Sequence, residues 1–410
     1  MIAHLKALFF HMISATVFFV ASPLIYGADL PDFTSLHKQY VNQYASSITN
    51  ESLSGSSDQY YYTSYYLHGM LSAVESTQDE TMLQNVIRYI DNMLSKATVN
   101  SAGYKVWGPL SAAGAPGQMN SYKACGPIAR AAAVIMQSPT FRTKYASTAS
   151  RYVDFVDNSI IQYWHVKTYS KAIPWLPADL GGWGTYTVWE SSASHLGQIA
   201  VSLYSATRNA PTTNTPMYLD IATRVSQAFK RKLQPQGTGW IWDKGLLNAS
   251  NDPGNLAGVP DTSHINDEAR LLVFAYEAGI VFTLADIQKL ANTLTDTVWN
   301  GSTDNPLFSN YINGSNIAYR TSTDAGSVGN IYAGSALLGK YSSKAQIAIS
   351  DMMKAIADGK QNASIAYNSS SYGKVALSGH LMRNGGAAPM QTPAKQTPAT
   401  PTNVVTQTPH

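Results

Sequence analysis

Read as a pattern of apolar and polar positions, the chain resolves into helices that come in twos. Apolar residues cover most of the circumference of Asp58–Glu75, Asn120–Gln137, Glu190–Thr207, Ser263–Ala278 and Asp324–Lys340, as in helices buried on all sides. Each is followed by a segment with one apolar stripe and one polar face: Glu80–Lys96, Tyr145–Trp164, Met217–Leu233, Thr283–Trp299 and Lys344–Asp358. In the first of these, Leu83, Val86, Ile87, Ile90 and Leu94 recur at the helical period. A further helix is predicted near Leu36–Ser47. The fully apolar helices begin 61 to 73 residues apart, and strand-like alternation is scarce. A long-period repeat of helix pairs predicts an all-α fold, an (α/α) toroid of six or seven hairpins. The inner helices would surround a cavity and the outer helices would wrap them.

The links from each outer helix to the next inner one are long and aromatic. They comprise Tyr104–Gly117, Trp164–Trp189, Gly237–Pro260 and Asn300–Thr323. The runs G-Y-K-V-W-G and G-T-G-W-I-W-D-K echo each other and read as short hairpins at a rim. Loops of this length are usually functional. All of them lead into inner-helix N-termini, so they would share one mouth, where a ligand is expected.

The two ends do not fit the repeat. Residues 1–28 carry Lys6 before an apolar run from Ala7 to Val20, then small residues at Ala21, Ser22, Gly27 and Ala28. This is the pattern of an export signal, which predicts a secreted or periplasmic protein. Residues 385–410 are dominated by Pro, Thr, Gln and Ala, a composition that cannot bury enough surface to order itself. A single toroid domain is therefore expected over 29–384. No later segment is apolar enough to span a bilayer.

Composition narrows the chemistry. A formal charge of +3 without any Lys/Arg block gives no footprint for nucleic acid. The lone Cys125 excludes thiolate metal clusters, and no H-E-x-x-H, G-x-S-x-G or phosphate-loop motif occurs. His264 with Asp261 and Asp267 could hold a cation, but that spacing is not diagnostic. The expectation is no metal and no cofactor. The 25 Tyr and 8 Trp offer flat apolar faces with polar tips, which suit sugar rings, and a monomer acting on an acidic polysaccharide or oligosaccharide is expected.

Titratable groups gather at the helix starts. V-P-D-T-S-H-I-N-D-E opens one inner helix with Asp261, His264, Asn266, Asp267 and Glu268. W-E-S-S-A-S-H opens another with Trp189, Glu190 and His195, and N-Y-I-N-G-S-N-I-A-Y-R brings Tyr311, Tyr319 and Arg320 toward the last. His, Tyr and Arg in one sugar-sized cleft suit β-elimination on a uronate polymer. His264 would remove the C5 proton, Tyr319 would protonate the leaving oxygen and Arg320 would neutralise the carboxylate. Glu190, His195, Asp261, Asn266, Glu268, Tyr311, Trp189, Trp107 and Trp242 would bind substrate. A glycoside hydrolase using Glu190, Asp261 or Glu268 on the same scaffold stays open, as does a non-catalytic glycan-binding protein.

The run D-T-S-H-x-x-x-E, followed by A-Y-E-A-G-I-V-F-T, L-A-N-T-L and V-W-N-G, resembles exported polysaccharide lyases of the alginate and glucuronan lyase type, built on an (α/α) barrel. The resemblance extends over Gly181–Gly329. It implies a catalytic His in the inner-helix motif and a Tyr in a later loop, which by position are His264 and Tyr319. In that family an Arg shortly precedes the Tyr, whereas Arg320 follows it here.

Overall fold

A computed structural model describes residues 32–108, 115–169, 190–243, 259–316, 331–360 and 364–385, with the backbone alone at 115–117, 165–169 and 190–192. Its elements are mostly helical and belong to one unit, Pro31–His410. The α-helices are α1 (Phe33–Ser52), α2 (Ser57–Thr77), α3 (Glu80–Ser95), α4 (Ala115–Gln137), α5 (Pro139–Val156), α6 (Glu190–Thr207), α7 (Thr215–Lys232), α8 (Ile265–Glu277), α9 (Leu284–Asn292), α10 (Ser343–Ala357) and α11 (Ser371–Gly385). Side-chain caps set several starts. Ser56, Asp79, Ser138 and Ser342 each accept a bond from the first turn of α2, α3, α5 and α10, and Thr283 with Asp286 forms a capping box on α9.

Burial follows the predicted alternation. In α2 every residue from Thr63 to Val74 is buried, and in α8 every residue from Ile265 to Ala275. Helix α3 buries Leu83, Val86, Tyr89, Ile90 and Met93 and leaves the rest wet or half-wet. The buried helices pack in a fixed succession: α2 on α4, α4 on α6, α6 on α8, α8 on the 3₁₀ helix Ala333–Lys340, that helix on α11, and α11 back on α2. Each of these core helices has a flanking partner: α3, α5, α7, α9, α10 and α1 respectively. No described helix is long and apolar enough to cross a membrane.

Three local features depart from the sequence reading. Helices α5 and α9 tighten no further but widen, passing into π-helical turns at Asp157–Tyr169 and Thr293–Val298. The predicted Asp324–Lys340 helix is 3₁₀ from Ala333 onward, and its first part lies outside the described residues. Gly334 explains why a slim element fits there, because a Cβ at that position would collide with Asn266 and Arg270 of α8. Helix α11 was absent from the predicted pairs. Its two interior glycines, Gly373 and Gly379, lower helix propensity, yet Gly379 lies against the backbone of Gly69 in α2 so closely that neither Gly69 nor Gly379 has room for a Cβ.

The two rim motifs form antiparallel hairpins. Strand β1 (Thr98–Val99) pairs with β2 (Lys105–Val106), and β3 (Gln234–Gln236) with β4 (Gly239–Ile241). Most of the remaining long links, 109–114, 170–189, 244–258 and 317–330, lie outside the described residues.

Candidate functional site

The site grows from the turn before α8. Its backbone is pinned by a distant segment: Thr262 N–H donates to the Asn310 carbonyl (3.0 Å), Ile312 N–H to the Pro260 carbonyl (3.2 Å), and Asp261 bridges Tyr311. The Thr262 hydroxyl donates to the Ser309 carbonyl at 2.8 Å. None of Asp261, Thr262 and Ser263, although of cap-forming types, caps the helix. The N-cap is His264, whose side chain makes no capping bond. Asp261 Oδ1 instead accepts from the Ser263 N–H and hydroxyl. Its Oδ2 lies 2.8 Å from His264 Nδ1. A carboxylate on Nδ1 fixes the proton there and leaves Nε2 as the free lone pair. His264 is 31% exposed at its side chain against 13% for Asp261, so the imidazole reaches solvent more freely than its orienting carboxylate.

One turn deeper, Asp267 is the hub of four helices. Lys123 of α4 reaches Oδ1 at 3.0 Å, Arg270 of α8 reaches the same oxygen at 3.3 Å, and His195 Nε2 of α6 lies 3.3 Å from Oδ2. Gln198 of α6 donates to its main-chain carbonyl, and Asn266 donates to Oδ1 at 2.6 Å while accepting from Gly334 N–H at 2.9 Å. From α2, the Tyr65 hydroxyl accepts from Lys123 at 3.2 Å. Burial alone would push the Asp267 carboxyl up, but His195, Lys123 and Arg270 hold it well below the ordinary range. Burial pushes the His195 imidazole down to about 4 against the pull of Asp267, so it is neutral at pH 7. Arg270 keeps Nε and Nη2 buried with no hydrogen-bond partner among the described residues.

Glu268 behaves differently from its neighbour. It is 0% exposed, and neither carboxylate oxygen has a hydrogen-bond partner among the described residues. Burial, reinforced by Asp267, raises its pKa well above the usual carboxylate range and holds it neutral.

An aromatic wall completes the cluster. The Lys123 ammonium lies 5.0 Å over the rings of both Tyr61 and Tyr65. Tyr65 is edge-on to Tyr332 and Tyr367, which stack on each other. The sequence reading named none of Lys123, Arg270 or these tyrosines. Lys123 and Arg270 did carry a signal, since each is a full charge in a helix that is buried nearly all round, where charges persist only if paired.

Among the sequence-predicted residues, Asp261, His264 and Tyr311 come together at the turn, and His195, Asn266 and Glu268 lie in or beside the buried hub. Trp107 and Trp242 are core side chains. Trp107 donates from its indole to the Met93 carbonyl at 2.8 Å and packs on Tyr60 and Phe155, while Trp242 packs edge-on to Phe229. Both are at most 2% exposed, which leaves no ring face for a sugar. Glu190 begins α6, but its side chain is not among the described atoms. Trp189, Tyr319 and Arg320 lie outside the described residues. Comparison with known proteins returns no matching family model and no matching curated protein.

Proposed function

We propose that the chain is an exported polysaccharide lyase that cleaves a uronate polymer by β-elimination on an (α/α) toroid of six hairpins. The toroid reading is supported by the succession of core-helix neighbours, which returns to α2 after α11. The catalytic reading is carried by one observation: a solvent-reaching imidazole whose Nδ1 is held 2.8 Å from a shielded carboxylate. In this mechanism His264 Nε2 takes the C5 proton of a uronate. The electron pair of that bond forms the C4–C5 double bond, and the C4–O bond breaks. Tyr319 gives its proton to the departing oxygen and Arg320 offsets the substrate carboxylate; these two roles come from the sequence motif. Asp261 stabilises the imidazolium that forms.

The hydrolase reading receives less support. Glu268 is sealed from solvent, and Asp261 is committed to His264 and Ser263. A two-carboxylate mechanism needs both groups facing the glycosidic bond.

The test is a panel of acidic and neutral polysaccharides followed by ultraviolet absorbance, since elimination leaves a conjugated double bond and hydrolysis does not. We expect that signal on at least one uronate polymer. His264→Ala should lower its rate about 10²–10⁴-fold, the usual worth of a positioned general base, with unfolding unchanged. New reducing ends without the absorbance, or full activity in His264→Ala, would overturn the proposal.

A further inference from the structure

A second polar assembly lies at the other ends of the core helices. A pocket of about 580 Å³ is lined by the C-terminal halves of α2, α4, α6 and α8, with Lys340 and Arg383 from the 3₁₀ helix and α11. That volume is typical of small-molecule sites. Two carboxylates lie in its wall. Glu75 receives Arg130 through Nε (3.2 Å) and Nη2 (3.0 Å), and also Arg383. Glu277 receives Arg383 Nη2 on both oxygens (2.8 and 2.7 Å), Lys340 at 3.0 Å and the Tyr341 hydroxyl at 2.6 Å. Both are ionised. Burial opposes this, but the arginines and Lys340 outweigh it, holding Glu277 near 2 and Glu75 below its ordinary value.

The charged side chains do not cancel, and their surplus faces the negative C-terminal ends of the surrounding helices. The pocket wall holds four cationic side chains, Arg130, Arg208, Lys340 and Arg383, against these two carboxylates. Arg208 is half-buried, and its guanidinium enters no hydrogen bond or ion pair among the described residues. Arg383, only 8% exposed, keeps Nη1 buried without a hydrogen-bond partner among them. A guanidinium is costly to bury unless its donors are met. The rest of the wall is of another kind. Ser202 and Ser205 supply hydroxyls, and the Phe274 ring, already packed under Arg130 at 4.8 Å, supplies an apolar face. The last carbonyls of the surrounding helices are acceptors for hydroxyl donors.

We infer that this pocket binds a small hydroxylated anion, a sugar acid or a sugar phosphate, with its oxyanion on Arg208 and Arg383 and its hydroxyls toward Ser202 and Ser205. The site is separate from the His264 turn and does not depend on the reaction proposed for it. Isothermal titration of the full chain with glucuronate, glucose 6-phosphate, glucose and inorganic phosphate tests it. We expect glucuronate or glucose 6-phosphate to bind, glucose to bind at least about tenfold more weakly, and Arg208→Gln to weaken the anion about tenfold or more, the worth of a charge-assisted bond. Which of the two anions binds tighter tells carboxylate from phosphate recognition. His264→Ala should leave this binding intact, and Arg208→Gln should leave elimination intact, so either proposal can fail alone. Absence of binding by all four ligands, binding of phosphate alone, or unchanged affinity in Arg208→Gln would overturn the inference.

Discussion

The two ends of the core helices solve opposite problems with the same residue types. At the N-terminal halves one carboxylate, Asp267, gathers Lys123, His195 and Arg270 from three helices. At the C-terminal halves two carboxylates on α2 and α8 are tied together by arginines from α4 and α11 and a lysine from the 3₁₀ helix. Asp267, in the first turn of α8, agrees with the helix dipole, whereas Glu75 and Glu277 lie in the last turns of α2 and α8 against it and are held ionised by the arginines and Lys340. The difference lies in what remains over. The first end places an oriented imidazole near solvent, and the second lines an open volume with cationic side chains, of which Arg208 has no partner among the described residues. A single hub positions chemistry, whereas a bridged pair fastens helices and can hold a ligand.

The largest effect should come from cutting the bridge. Arg383→Leu leaves Glu75 and Glu277 each short of a partner inside the protein, so unfolding in urea should show a loss of about 3–5 kcal/mol. A loss under about 1 kcal/mol would mean that the two carboxylates do not fasten α2, α8 and α11.

The pH dependence separates the ends further. Glu277 has a folded value of about 2 against an ordinary 4.5. The lowered value stabilises the fold fully above about 4.5 and progressively less as pH falls from there toward 2. His195, held near 4 against 6.5, is neutral when the unfolded chain would already bind a proton. It therefore erodes stability between 6.5 and 4. Glu277→Gln should flatten the lower window of a stability–pH curve, and His195→Gln the upper. Identical curves for both variants would merge the two ends into one titrating unit.

A smaller effect is expected where α11 meets α2, the contact that carries Arg383 to its carboxylates. Gly379→Ala forces a methyl against the Gly69 backbone and should cost about 1–3 kcal/mol, read as a lower thermal midpoint. The smallest change concerns Glu268. Replacing with Met a buried acid that no described residue partners removes an unsatisfied polar group, so stability should hold or rise slightly. Elimination activity should persist. Loss of activity in Glu268→Met with the fold intact would instead favour a carboxylate mechanism.

Much of this was legible in the chain. Helix α6 spans the very residues its apolar pattern marked, and the titratable groups of the Asp261–Glu268 run do mark a polar cluster. What escaped did so for identifiable reasons. Helix α11 hid behind Gly373 and Gly379, whose low propensity masks packing roles that only the contacts with Asn368 and Gly69 reveal. Lys123 and Arg270 interrupt buried helices, and periodicity counts them as interruptions rather than as partners of one carboxylate. Trp107 and Trp242 show the reverse error. Composition marks an aromatic as suited to a rim, but only the Met93 carbonyl shows where the Trp107 indole is satisfied.

The partnership of α1 with α11 sets the timing of assembly. His37, near the start of the first described helix, bonds Ser378, 341 positions later. During synthesis the first described helix therefore waits for the last to complete its packing, with only α2 and α3 beside it in the interval. Contacts that span so much of the chain slow folding and lengthen exposure to aggregation. A nascent chain stopped short of Ser371 should depend on a holding chaperone far more than the finished one.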